Sequence, residues 1–418
     1  MDLSFAFDRE KLSVSVDDDR LLGVVEQNSV PIGLIGEAEV RRSLREPIGS
    51  PRLSELAGPG RRVAIVTSDI TRPVPNRIIL PLVLEEMSQA KVPDENITIV
   101  FALGSHRHHT EEEMRAMVGD EIFGRVHCVD SDMGQCVRLG TTTRGTPVDV
   151  FRPVAEADLR ICVGNIEYHY FAGYSGGAKA ILPGVSSREA IQANHSRMVQ
   201  PEASAGRLEG NPVREDIDEV ARFVPIDFIV NVVLDEHKRI VKSVAGDFIK
   251  AHRAGCAFLD GLYRVGIPRA AEIVIVSAGG YPKDLNMYQA QKALDNAGHA
   301  VQKGGIIIWV AACREGLGNS TFEAWMTGHK RSEDMIEHIR KEFCLGGHKA
   351  AAIAMILQRA RIFLVSKLEP EFVRSLHLEP FGSVQEALDR AVRASGSGAK
   401  VLAMPYGAST LPIVRAEK

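Results

Sequence analysis

The sequence predicts an α/β protein made of two α/β domains, with mainly parallel sheets and an active-site cleft between them. Its 418 residues, 45% hydrophobic and 25% charged, are enough for two separate cores. Short apolar runs alternate with helical patterns of roughly ten to eighteen residues, the signature of βαβ units. Polar, glycine-containing clusters follow several of the apolar runs directly, and in open α/β sheets ligands bind beyond the carboxyl ends of the strands.

Taken in order, strands are expected at Arg62 to Thr67, Ile97 to Leu103, Leu159 to Val163, Phe228 to Leu234, Ile273 to Ser277, Ile306 to Ala311, Ile362 to Val365 and Val401 to Met404. Each is a short β-branched or aliphatic run bounded by turn formers. No repeat or low-complexity tract interrupts them. The stretch Gly261 to Arg269, with Gly266 and Pro268, is the expected domain boundary, because a fresh strand follows it and ends in its own turn, Ser277-Ala-Gly-Gly280. This gives an N-terminal domain over 1–265 and a C-terminal domain over 266–418, with the last residues free to pack back on the N-terminal domain.

A net charge of −4 excludes a strongly basic nucleic-acid or acidic-membrane binder. The six cysteines are scattered without the C-x2-C spacing of a zinc or redox site, so reduced, mostly buried thiols are expected. The first ten residues lack the basic segment and apolar core of a signal peptide, and no apolar run approaches a membrane span. A cytoplasmic location is the expectation.

Four strand-end clusters carry the chemistry: Ser68-Asp-Ile-Thr-Arg-Pro-Val-Pro75, Gly104-Ser-His-Arg-His-His-Thr110, Gly164-Asn-Ile-Glu-Tyr-His169 and Gly279-Gly-Tyr-Pro-Lys-Asp284. The densest segment runs from His169 through Gly173, Gly176, Gly177, Lys179 and Gly184, with Asn194-His195 close behind. Glycines there admit close backbone approach, and a lysine on such a loop can meet a phosphate, a carbonyl or a thioacid. His106 and His169 stand on separate loops and carry imidazoles, the side-chain type suited to general acid–base work. Arg72 suits a bidentate grip on a carboxylate. Tyr288, Gln289 and Lys292 fall on neighbouring positions of a helix expected to start near Leu285.

These residues resemble the nickel-pincer lactate racemases and their homologues. The resemblance rests on Asp69-Ile-Thr-Arg72, Gly104-Ser-His106-Arg107, His169 followed by Gly-x-Ser-Gly-Gly-x-Lys179, Asn194-His195, and Tyr281-Pro-Lys-Asp-x-Asn-x-Tyr288-Gln289-x-x-Lys292, spread over most of the chain. It implies a racemase or epimerase of 2-hydroxy acids working by hydride transfer. It also implies a covalently bound nickel-pincer nucleotide, pyridinium-3-thioamide-5-thiocarboxylic acid mononucleotide nickel, built by separate maturation enzymes. Lys179 would carry the thioamide link, with Asp69, Gly176 and Gly177 beside the cofactor. His195 would be the nickel ligand, completing a square-planar site. His106 and His169 would be the general bases, and Arg72, Tyr288, Gln289 and Lys292 would contact substrate. The family includes enzymes for lactate and for larger acids. The lactate enzyme has a tryptophan lining the substrate pocket, and Leu345 to Ala360 contains none here, so both substrate sizes stay open.

Several features read more simply. Most of the thirteen histidines, including His108, His109, His252, His329, His338 and His348, are expected to be solvated or structurally satisfied. The run from Arg107 to Glu113 reads as a helix start, with Thr110 as N-cap and Glu113 completing a capping box, rather than a second metal site. The loop before Lys179 lacks the Ser or Thr that a Walker motif requires. Cys313 reads as turn packing, and Phe322 with Trp325 as core. Two rival functions remain: a pyridoxal-phosphate enzyme with Lys179 as Schiff base, and a non-catalytic two-domain ligand-binding protein.

Overall fold

In a computed structural model describing residues 1–415, the chain forms two compact units. One comprises Val30–Gly261. The other joins Met1–Ser29 to Leu262–Lys418. The first 29 residues thus leave the 1–265 assignment expected from sequence. The physical reason is pairing: Leu21–Val24 adds a parallel edge strand beside Val401–Met404. The hairpin of Asp2–Phe7 with Glu10–Ser15 buries Leu3, Phe5, Phe7, Val14 and Val16 in the same core as Ile273, Ile275, Ile306 and Ile308. The chain's last strand, Leu411–Val414, pairs with Arg264–Ile267 inside this unit.

The 30–261 unit is built on a six-stranded sheet. Its spatial order is Ile240–Gly246, Phe228–Leu234, Leu159–Asn165, Val63–Ser68, Ile97–Ala102 and His127–Asp130. All neighbours are parallel except the Ile240–Gly246 edge strand, which returns antiparallel. The central strands are buried along nearly their whole length, as expected of a sheet covered on both faces. Helix Asn76–Gln89 contributes Ile79, Leu80, Val83 and Met87 to that core.

The second sheet is entirely parallel, in the order Glu379–Phe381, Ala360–Val365, Val301–Val310, Ala271–Ser277, Val401–Met404 and Leu21–Val24. Every strand expected from sequence is present, with ends shifted by a few residues. The added elements are short or edge strands, such as Tyr168–His169 paired with Gly173–Tyr174. Among the described residues, no helix is long and apolar enough to cross a membrane.

Candidate active site

In the 30–261 unit, three neighbouring strands end where the polar clusters begin. Val63–Ser68 delivers Asp69, Ile97–Ala102 delivers the turn holding His106, and Leu159–Asn165 delivers Glu167 and His169. The turns are tied together by backbone. The Gly104 N–H donates to the Gly184 carbonyl at 2.8 Å. Gly184 lies so close to the Ala180 backbone and to Ala102 that any Cβ there would collide. Hence the glycine couples the His106 turn to the Lys179 turn.

Asp69 is buried, and its carboxylate accepts a short hydrogen bond from His106 Nδ1. Its other oxygen accepts from the Thr71 N–H at 3.2 Å and the Thr71 hydroxyl at 2.7 Å. Burial pushes the Asp69 pKa up, but the His106 and Thr71 hydrogen bonds and the nearby Arg72 outweigh it, leaving it below the usual carboxylate range. An ionised carboxylate can only accept, so Nδ1 of His106 carries the proton and the lone pair of the neutral ring lies on Nε2. Asp69, expected among the cofactor contacts, therefore has His106 as its principal partner.

His169 is set the other way. The Ala172 N–H donates to its Nδ1 at 3.3 Å, so the neutral ring carries its proton on Nε2. The two imidazoles thus hold opposite hydrogen-bonding states. Arg72 lies 4.0 Å from Glu167, which links the Asp69 loop to the His169 loop.

Phe171 joins the remaining groups. Its ring centre is 4.5 Å from that of His169 and 4.9 Å from that of His195, both edge-on, and Lys179 Nζ is 5.9 Å away. Residues as far apart in sequence as His169 and His195 thereby surround one aromatic ring. Burial drives the Lys179 pKa well below that of an ordinary lysine. Repulsion from Arg214 and Arg72 adds to this and Glu167 opposes it. The amine is thereby disposed to be neutral and nucleophilic.

His195 is buried at the end of helix Arg188–His195. Its Nδ1–H donates to Asn194 Oδ1 at 3.0 Å, and the Asn194 amide donates to Asp216 at 2.8 Å and to the Val213 carbonyl at 3.1 Å. This leaves the lone pair on Nε2 and fixes the ring's orientation, as metal-ligating histidines require. Among the described residues there is no group of three or more His, Cys, Asp or Glu side chains able to hold a metal ion. A metal at His195 would therefore need donors from a bound group.

The Gly176-Gly177 turn is held from behind. Asn231 accepts from the Gly177 N–H at 2.8 Å, and a Cβ on Gly176, whose φ is +76°, would approach the Asn231 oxygen to 2.7 Å. Fully buried His252 donates from Nε2 to the Ser175 carbonyl at 2.8 Å. Arg214, also fully buried, donates to the carbonyls of Ala172 and Tyr174. Sequence reasoning missed Phe171, Asn231 and Arg214, since each is remote from, or chemically plainer than, the groups it supports.

The residues assigned to substrate in the other unit lie on helix Met287–Ala297. The helix is capped by Asn286, whose side chain accepts from the Gln289 N–H at 3.0 Å. Tyr288 is flanked edge-on by Phe322 and His348, and the Lys349 ammonium sits 4.1 Å from its ring centre. Tyr288 and Lys292 are half-buried and Gln289 is exposed.

Comparison with known proteins gives the family of the chain. Residues 7–206 match the family model for the lactate racemase N-terminal domain, and residues 268–412 match that for the C-terminal domain. The chain belongs to the lactate racemase family. The family places it among the racemase-type isomerases. It is 35% identical to the lactate racemase of Thermoanaerobacterium thermosaccharolyticum, over 98% of both chains. It is 36% identical to that of Lactiplantibacillus plantarum, over 97% of this chain and 98% of the other. The structure of the T. thermosaccharolyticum apoprotein superposes with a TM-score of 0.91 at 34% identity, covering 99% of this chain and 100% of that one. A Thermotoga maritima protein of 18% identity shares the fold at a TM-score of 0.66, covering 92% of this chain and all of its own.

Proposed function

We propose that this protein interconverts the enantiomers of a 2-hydroxy acid, lactate or a larger homologue, using a nickel-pincer nucleotide bound through Lys179 with His195 as nickel ligand. The observation that carries the reading is the grouping of His169, His195 and Lys179 around the Phe171 ring, with the Lys179 amine disposed to be neutral. The donor set suits the cofactor: one oriented imidazole, one nucleophilic amine and a turn in which Gly176 and Gly177 admit close approach. When bound, the nucleotide would supply an electrophilic pyridinium carbon as acceptor for the hydride of C2.

The protein's own residues do the rest. The C2 hydrogen of a 2-hydroxy acid is barely acidic, so its departure as a proton is disfavoured, and the chain must instead manage the hydroxyl proton. Neutral His106, with Nδ1–H held by Asp69, has its Nε2 lone pair available to take that proton. His169 in its protonated form returns one to the oxygen, which requires its ring to turn away from the Ala172 N–H that Nδ1 accepts from in the neutral state, and exchange with solvent resets the pair. Inverted substrate uses the same residues in exchanged roles. Arg72 is the residue suited to grip the carboxylate, and Tyr288, Gln289 and Lys292 are the further substrate contacts that the family resemblance implies.

Intact mass and metal analysis on protein matured beside the cofactor-building enzymes test this reading, with Lys179→Ala as the control. The expected result is a mass increase with about one nickel per chain, both lost in the variant, together with racemisation of a 2-hydroxy acid. Unmodified, nickel-free protein under those conditions would refute it.

A further inference from the structure

His109 lies three residues beyond His106, and the catalytic reading does not use it. Its side chain is 1% exposed and packs edge-on against Phe101 at 5.4 Å. Both ring nitrogens are engaged. Nδ1–H donates to Asp130 Oδ1 at 2.6 Å, while Nε2 accepts from the Ile70 N–H at 3.1 Å. The His109 backbone N–H adds a bond to Asp130 Oδ2 at 2.7 Å, and His108 Nδ1 lies 3.4 Å from the same oxygen. Asp130 is itself buried at the end of strand His127–Asp130. A backbone N–H can only donate and a carboxylate only accept, so these partners select one neutral tautomer of His109.

Ile70 sits between Asp69, which holds His106, and Thr71 and Arg72. The residue is 46% exposed, so packing anchors it poorly, and its amide donates to His109, which Asp130 ties to the sheet. The geometry points to His109 as a positioning residue that, braced by Asp130, fixes the Asp69–Arg72 loop and through it the proton on His106. The chain of contacts runs from Asp130 through His109 and the Ile70 amide to Asp69 and His106. Outer partners of this kind alter activity by about 10–100-fold when lost. The inference rests on the reading of His106 as a catalytic base, but the coupling itself can be measured without cofactor.

The test compares His109→Leu with His109→Gln. Leucine fills the space without an acceptor. Glutamine can place its carbonyl oxygen near the former Nε2 and accept from Ile70. Nitrogen-15 chemical shifts of the His106 ring in the unmatured protein should show Nδ1 protonated in the wild type and in His109→Gln. In His109→Leu they should show a mixture of tautomers. In matured enzyme His109→Leu should lower kcat by about 10–100-fold, with much less added loss when Asp69→Asn is already present. Should His109→Leu fail to fold, Asp130→Asn provides the same reading, because it unseats the His109 tautomer while preserving volume. Unchanged His106 shifts in the folded variant, or equal damage from Gln and Leu, would overturn the proposal. A normal tautomer response in protein that never takes up nickel would instead place the failure with the cofactor reading.

Discussion

At the scale of residues, the site depends on which atom carries each proton. His106→Ala and His169→Ala should each abolish racemisation while leaving the mass added at Lys179 intact, as read by a chiral assay and intact mass on the same preparation; turnover in either would dismiss the two-base scheme. Asp69→Asn should lower kcat by on the order of 10–100-fold, since the amide can turn its N–H₂ toward Nδ1 and favour the other tautomer of His106. Lys179 makes a pH-dependent prediction. Its folded pKa lies well below the ordinary 10.5, so between those values the unfolded chain binds a proton that the folded chain lacks. Stability must then rise with pH across that window. Lys179→Met removes this dependence. The variant should melt above the wild type at pH 7, and the gap should narrow as pH approaches the ordinary lysine value. Parallel melting curves at every pH would show that Lys179 is not held neutral.

At the scale of elements, turns rather than strands align the site. The Gly104–Gly184 hydrogen bond joins two loops that approach from different strands. Gly184→Ala would press a methyl group against the Ala180 backbone and Ala102, atoms with little room to move. We expect a loss of roughly 1–3 kcal/mol in urea unfolding, together with reduced modification of Lys179. Helix Glu111–Val118 illustrates an element legible from sequence alone. Thr110 accepts from the Glu113 N–H at 3.2 Å, and Glu113 accepts from the Thr110 N–H at 2.9 Å. This is the reciprocal box that the spacing implies. Phe322 and Trp325 are likewise core, as their helical spacing suggests. Cys313 is fully buried in a turn at φ +51°, where burial pushes its thiol pKa up and leaves it a poor nucleophile.

At the scale of the whole molecule, the chain's beginning completes the unit that its end builds. The strands Asp2–Phe7 and Glu10–Ser15 cover the core of the second sheet, and Leu21–Val24 pairs along its edge. A fragment spanning 262–418 alone should therefore expose Ile273, Ile306 and their neighbours and show a poorly dispersed amide NMR spectrum. Joining residues 1–29 to it by a flexible linker should restore dispersion. Equal spectra for the two would mean the N-terminal strands are dispensable.

Local pattern determined much of this protein. Aliphatic runs bounded by turn formers announced the central strands, because burial on both faces leaves an unbroken apolar signature. The loops after those strands held Asp69, His106 and His169, the glycine-rich segment that follows held Lys179, and His195 came further on at a helix end. Tertiary structure alone decided their partners. Nothing in the spacing says that Asp69 holds His106, that Phe171 gathers His169, His195 and Lys179, or that His109 reaches the Ile70 amide. It also decided that residues 1–29 join the far end of the chain, since strand pairing is a contact between distant segments and leaves no periodic mark in either. Proton positions follow from such contacts, so the chemistry of the site becomes definite only once the chain is folded.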